Sequence, residues 1–278
     1  MLSRSVTSIC LVWILITSSV QGQSAVIRQT PELYIVGLSH AASANRNADS
    51  LLEIARYINP DLILVETDTL SGYFRENYQL VAPPHWYRTA GKLKLAASMP
   101  PEMEFIYNYR SLDSQVLILP FDMAIPNRKK YIRESGKAEY KLLEDLNKAF
   151  AKNEIADSLL TSHFQYVAYS NWLVQLTART FQQLNDPAIT DSIRQMMSQE
   201  SSYLHNLFQQ VPRLKSHKAA FEQREQHWRK RNETMATNIL RFIKGSMPKR
   251  VLILTGLLHK YYLEDLLKAE TRLVELPF

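Results

Sequence analysis

Two apolar runs, Leu33–Val36 and Val251–Leu254, each lead into a glycine and, three residues after it, a histidine. The first unit ends Gly37-Leu38-Ser39-His40 and the second Gly256-Leu257-Leu258-His259. Unbroken runs of large apolar residues read as strands buried on both faces, the habit of parallel sheets. An amphipathic helical pattern follows each unit. Two copies of strand, Gly-x-x-His and helix would bring both histidines to one edge of one sheet. Open α/β sheets bind ligands there, beyond the carboxyl ends of their strands. A glycine before each histidine allows a tight exit turn that no side chain obstructs.

The rest of the chain fills in the same class. Ala48, Leu51, Leu52, Ala55 and Ile58 recur at helical spacing, and Asn59-Pro60-Asp61 ends that helix. A second strand, Leu62–Val65, stops at Glu66, so a β-α-β unit with a parallel pair and a right-handed crossover is expected. Residues 67–101 read as short helices and a loop over the site. A helix over Glu102–Tyr109 precedes a third strand, Gln115–Pro120, which runs into Asp122. From Lys137 to Ile243 the pattern is helical: Lys137–Asn153, Ile155–Leu184, Ile189–Gln210 and Lys215–Ile243. Strand pattern returns at Arg250–Thr255 and Arg272–Leu276, with a helix over Tyr261–Ala269 between them. The expected fold is therefore α/β, a mostly parallel central sheet with flanking helices and a large all-helical insertion over residues 137–243.

The first residues stand apart from this pattern. Arg4 precedes the apolar stretch Ile9–Ile16, and Val20-Gln21-Gly22 offers small residues for cleavage, so residues 1–22 read as a secretory signal peptide. The stretch is too short for a membrane span. Residues 23–278 would form one domain, secreted or periplasmic, with no stable membrane span after cleavage. Cys10 is the single cysteine of the 278 residues. The remaining chain then has no disulfide, no thiol nucleophile and no thiolate metal site. A metal would have to be held by His, Asp or Glu. The net charge of +6 is concentrated in part over residues 213–231, where seven Lys or Arg stand against two Glu. Export and the scarcity of interleaved aromatics argue against nucleic acid.

Four polar residues fall at expected strand ends: His40, Glu66, Asp122 and His259. Two histidines and a carboxylate are a common hydrolytic metal set, with a second carboxylate as general base. Here the two histidines would be His40 and His259, and Glu66 and Asp122 the two carboxylates. On the long helix before the last strands, Trp228, Met235, Ile239 and Phe242 share one face, and Arg231 and Asn232 lie on it too. Polar groups on an inward face are costly unless partnered. Arg231 either holds a substrate anion or oxyanion, or pairs with Glu66 or Asp122 to tie helix to sheet. Asn232 is placed to hydrogen-bond a ligating or catalytic group; the sequon it begins, Asn232-Glu233-Thr234, is mid-helix. Glu66, Arg231, Asn232 and Asp122 are the expected catalytic set. His85, His163, His205, His217 and His227 lack comparable context.

Four blocks together, Tyr-Ile-Val-Gly-Leu-Ser-His40, Pro60-Asp-Leu-Ile-Leu-Val-Glu66, Arg231-Asn-Glu-Thr-Met235 and Val251-Leu-Ile-Leu-Thr-Gly-Leu-Leu-His259, resemble the TraB/GumN/Tiki group. Its larger superfamily includes erythromycin-esterase-like and ChaN-like haem-binding proteins. The resemblance implies an exported metal-dependent hydrolase of peptide or ester bonds, with Mn, Co or Zn on His40, His259 and Glu66 and with Arg231 and Asn232 completing the core. A peptide or a small molecule would be the substrate. A metal-free variant with a histidine as general base is implied by the esterase-like relatives. The alternatives are a haem or iron binder of the ChaN kind and a catalytically inactive scaffold. The chain departs from the group at Leu258, where an inner glycine is usual, and at Lys260-Tyr261-Tyr262, which would narrow the site.

Overall fold

The computed structural model describes residues 30–39, 46–82 and 99–276. The signal-peptide segment, His40 and His85 lie outside the described residues. In chain order the described elements are β1 (Glu32–Leu38), α1 (Ala48–Ile58), β2 (Leu62–Val65), α2 (Pro101–Leu112) and β3 (Leu117–Pro120), then α3 (Arg128–Ala151), α4 (Asp157–Leu176), α5 (Phe181–Leu184) and α6 (Pro187–Gln210). A 3-10 turn over Pro212–His217 leads to α7 (Lys218–Ser246), β4 (Arg250–Gly256), α8 (Leu257–Leu267) and β5 (Arg272–Leu273).

The strands form one parallel sheet in the order β3-β2-β4-β1-β5. Side chains alternate across it, as a strand requires. Tyr34, Val36, Ile63, Val65, Leu252 and Leu254 pack on one face against α1 and α2. Leu33, Ile35, Leu62, Leu64, Val251 and Ile253 pack on the other against Met235, Ile239 and Ile243 of α7 and Leu263 and Leu267 of α8. Burial on both faces is what the unbroken apolar runs demanded. The expected parallel pair of β1 with β2 is corrected: both run the same way, but β4 lies between them. A strand late in the chain takes the centre because both its edges and both its faces can then be buried. Its register sets Gly37 opposite Thr255 and Leu38 opposite Gly256, so the two glycine motifs leave the sheet side by side.

Gly37 owes its place to packing rather than to a turn. A Cβ there would meet Leu257 Cδ1 at 2.9 Å, Leu257 Cα at 3.3 Å and Lys260 Cδ at 3.3 Å. Its far edge, beyond the short β5, is closed by a side chain. Asn185 Oδ1 accepts from Gly37 N at 2.7 Å, and Asn185 Nδ2 donates to Gly37 O at 3.0 Å. One amide thus supplies the donor and acceptor that a further strand residue would have given.

The helical region runs from Arg128 to Ser246, beginning earlier than expected. Its own core joins Leu142, Leu146, Leu159, Leu204, Leu207, Phe208, Leu214 and Phe221. The expected helix Ile155–Leu184 breaks between Leu176 and Phe181, where Thr180 and Gln183 form a reciprocal capping box that restarts it. The last strand is also shorter than expected, ending at Leu273.

The histidines of this region each link two elements. His163 Nδ1 lies 2.6 Å from the Tyr203 hydroxyl, His217 Nε2 2.9 Å from Asp145 Oδ2, and His227 Nδ1 2.9 Å from the Tyr131 hydroxyl. His163 is buried, and burial pushes its pKa down. His227 is lowered by burial and then by the charge of Arg231. An unfolded histidine binds its proton near about pH 6.5. The folded state resists protonation until lower pH, so the unfolded chain holds more protons below that value. Stability is therefore expected to fall as the pH drops below about 6.5. Urea unfolding at pH 7.5 and pH 5.5 checks this, with a smaller acid loss for His163→Phe than for the wild type. An equal loss in both would rule out His163 as a source.

Candidate functional site

The carboxyl ends of β2, β3 and β4 meet one face of α7. Glu66 N donates to Leu254 O at 2.9 Å and Asp122 N to Thr67 O at 3.0 Å, so the exits of the strands run together. Met235 and Ile239 seat α7 on the sheet, and Asn238 Nδ2 donates to Phe121 O at 3.0 Å. One turn earlier on the same face, Arg231 and Asn232 reach the strand ends.

Arg231 is the hub. Its Nε donates to Asp122 Oδ1 at 2.8 Å and its Nη2 to Asp122 Oδ2 at 2.8 Å, a fork-to-fork pair. Nη2 also donates to Glu66 Oε1 at 2.6 Å, and Nη1 to His259 Nε2 at 3.0 Å. Four of its five N–H groups are thus engaged; the fifth, on Nη1, has no partner among the described residues. Burial opposes the charge, but Asp122 and Glu66 more than offset it and raise the guanidinium above its ordinary range. Both alternatives of the expected tie, Glu66 and Asp122, are realised at once.

The carboxylates are held from the other side as well. Glu66 Oε2 accepts from the Thr255 hydroxyl at 2.7 Å and from Gly256 N at 2.5 Å. Asp122 Oδ1 accepts from Met123 N at 2.7 Å, and Asp122 Oδ2 from Arg128 Nη1 at 3.0 Å. Arg128 Nη1 also reaches Asp68 Oδ2 at 3.4 Å. The side chain of Asp122 is 0% exposed and that of Glu66 5%. Both oxygens of Asp122, a residue of the expected catalytic set, accept from two donors each: Arg231 and Met123 N on Oδ1, Arg231 and Arg128 on Oδ2.

His259 sits in the first turn of α8, which starts directly from β4. Asn232 Nδ2 donates to Trp228 O at 2.8 Å, so its Oδ1 is the acceptor for His259 Nδ1–H at 2.8 Å. An arginine only donates, so Nε2 must offer its lone pair to Arg231. The imidazole is therefore neutral, with its proton on Nδ1. Trp228 stacks on it at 4.0 Å between ring centroids and 17° between planes. Asn232 is 0% exposed, with Oδ1 and Nδ2 each hydrogen-bonded, which puts it out of reach as a glycosylation acceptor.

The sequence places His259, Glu66, Arg231, Asn232 and Asp122 in one cluster, and the structure brings these five together. Trp228 was read only as part of the apolar face; its position four residues before Asn232 was the available signal for the ring platform. Thr255, Asp68 and Arg128 were missed. Lys260 corrects another expectation. It turns away from the His259 cluster, its Nζ 3.0 Å from Thr190 Oγ1, 3.4 Å from Asn185 O and 3.3 Å from Glu264 Oε1. Neighbouring residues on a helix point about 100° apart, so Lys260 cannot share the direction of His259.

Among the described residues, no group of three or more His, Asp or Glu side chains is arranged to hold a metal ion. His259 Nε2 and Glu66 Oε1 lie 3.6 Å apart. Two ligands about 2.0–2.2 Å from a common ion would have roughly that separation. Yet both atoms already face Arg231, and a cation between them would abut a guanidinium. Among the described residues, no helix is long and apolar enough to cross a membrane. Comparison of the chain with family models, with curated proteins and with solved structures returns no match.

Proposed function

We propose that the chain is an exported hydrolase of peptide or ester bonds that works at this cluster without a metal. The resemblance of the four blocks to the TraB/GumN/Tiki group supplies the reaction class. One contact supports the metal-free form: Arg231 Nη1 on His259 Nε2. Both nitrogens of His259 are then engaged, so its role is to hold Arg231 and the base role falls to His40. His40 takes a proton from water, and the hydroxide attacks the carbonyl carbon. The fifth N–H of Arg231 donates to the oxygen on which charge develops. His40 then returns the proton to the leaving group as the bond breaks. Glu66 and Asp122 keep the guanidinium in place.

A second reading, with Mn, Co or Zn on His259, Glu66 and His40, draws on the 3.6 Å spacing of Nε2 and Oε1. It requires Arg231 to release both atoms. Elemental analysis of the purified chain lacking residues 1–22, with hydrolysis of nitrophenyl esters and quenched peptides before and after a chelator, separates the two. Hydrolysis that survives chelation in metal-free protein is the expected result. Stoichiometric metal, lost together with activity on chelation, would establish the second reading instead. Absence of hydrolysis with a Soret band on adding haem would replace both with a haem binder.

A further inference from the structure

We infer that Arg128 is an anion-binding residue at the rim of this site, and that the substrate carries a carboxylate or phosphate group. The inference rests on the proposed hydrolase site and names its substrate class. Arg128 opens α3 immediately after Asn127, whose left-handed backbone (φ 55°) turns the chain out of the loop that follows β3. It lies six positions after Asp122, and the loop brings its guanidinium back onto that carboxylate. Nη1 spends its two N–H groups on Asp122 Oδ2 at 3.0 Å and Asp68 Oδ2 at 3.4 Å. Nε and Nη2 have no partner among the described residues. Among the described residues, three donors of a planar fork are therefore left over on a side chain that two carboxylates orient.

The contrast in exposure gives the direction of this fork. The side chains of Asp122 and Asp68 are 0% and 3% exposed, and that of Arg128 is 35%. The acids lie beneath, and the Arg128 side chain reaches the surface above them. Formal charge over Glu66, Asp68, Asp122, Arg128 and Arg231 is one negative. The carboxylates are turned inward, however, so an arriving group meets cation first. No acidic residue stands in the first turn of α3 to compete, and Lys129 and Lys130 follow Arg128 there. A guanidinium clamped on one side by carboxylates and open on the other is suited to bidentate recognition of an oxyanion.

The position relative to the reaction site follows from a shared atom. Asp122 Oδ2 accepts from both Arg128 Nη1 and Arg231 Nη2. The two guanidinium groups are thus no further apart than two hydrogen bonds through one oxygen. An anion on Arg128 would lie close to an acyl oxygen on Arg231, which fits a substrate with an acidic group near the scissile bond.

The test is binding of two anions, succinate and inorganic phosphate, to the full chain by calorimetry in a buffer without competing anions. Succinamide is the neutral control. Wild type is expected to bind one of the two anions, and which one it prefers separates carboxylate from phosphate substrates. Arg128→Gln is expected to weaken binding roughly 10- to 100-fold, as for a charge-assisted hydrogen bond. Arg128→Lys should recover only part, because the ammonium lacks the fork. Lys268→Gln, on the exposed end of α8, should bind as wild type. Urea unfolding of each variant checks that the fold is kept. Unchanged affinity in a folded Arg128→Gln, or no anion binding by wild type, would overturn the inference. Calorimetry needs no turnover, so anion binding without hydrolysis would remove the hydrolase reading alone.

Discussion

Arg231→Met is expected to lose about 3–5 kcal/mol of stability, read as a fall in the urea midpoint at an unchanged slope. The variant leaves Asp122 and Glu66 in place without the cation they share. Both side chains are nearly or wholly buried, and Asp122 would retain only Met123 N and Arg128. A buried carboxylate stripped of its partner costs far more than the intact pair contributes. His259 Nε2 would lose its donor as well. Arg231→Lys should recover only part of the loss, because an ammonium cannot replace the fork on Asp122 and also reach Glu66 and His259. The double variant Arg231→Met with Asp122→Leu should be more stable than Arg231→Met alone, since it removes one of the two uncompensated carboxylates and leaves only Glu66. A loss under about 1 kcal/mol for Arg231→Met would mean that water reaches the cluster and screens it, as at a surface pair.

This dependence places stability and chemistry on the same side chain. Arg231 is the joint between α7, the last helix of the helical region, and the ends of β2, β3 and β4. A substrate that draws on the spare N–H of Arg231 draws on a group the fold already orients. Little reorganisation would then be needed as charge develops on the substrate.

The strands were legible because their signal is local. Leu62–Val65 ends where it was expected to end, at the first residue that must leave the apolar layer, Glu66. The order of strands was not legible. Nothing within Val251–Thr255 records that it will lie between β1 and β2, since that depends on pairing across almost the whole chain. The break before Phe181 was readable in principle, as Thr180 and Gln183 have the spacing of a capping box, but the apolar periodicity on either side masked it. Residue types and faces at the site were legible too: Arg231 and Asn232 had to face inward with Trp228 and Met235. Atom-level pairing was not. That His259 offers Nε2 to Arg231 follows from the orientation of the Asn232 amide, which is fixed by the Trp228 carbonyl one turn away. The direction of Lys260 depended on α8 beginning at Leu257, several residues before the expected start at Tyr261.

The largest expected effect on activity is at His40, and it should differ in kind from that at His259. His40→Ala removes the proposed base and should lower kcat by about 10²- to 10⁴-fold with little change in KM. His259→Gln tests a different role. A glutamine carbonyl can accept from Arg231 Nη1 where the imidazole Nε2 did, so the guanidinium keeps its neighbours. If His259 only positions Arg231, this variant should keep activity within about tenfold of wild type, while His259→Leu, with no acceptor, should lose more. The pH profile adds a readout that a purely structural role would not move. With His40 as base, the acid limb of kcat/KM should persist in His259→Gln and vanish with the residual rate in His40→Ala. A His259→Gln variant that is folded yet as inactive as His40→Ala would show that the imidazole itself acts on the substrate or holds a metal. Arg231 would then have to leave Nε2 during turnover, and the pairing seen here would be the resting arrangement of a metal-dependent site.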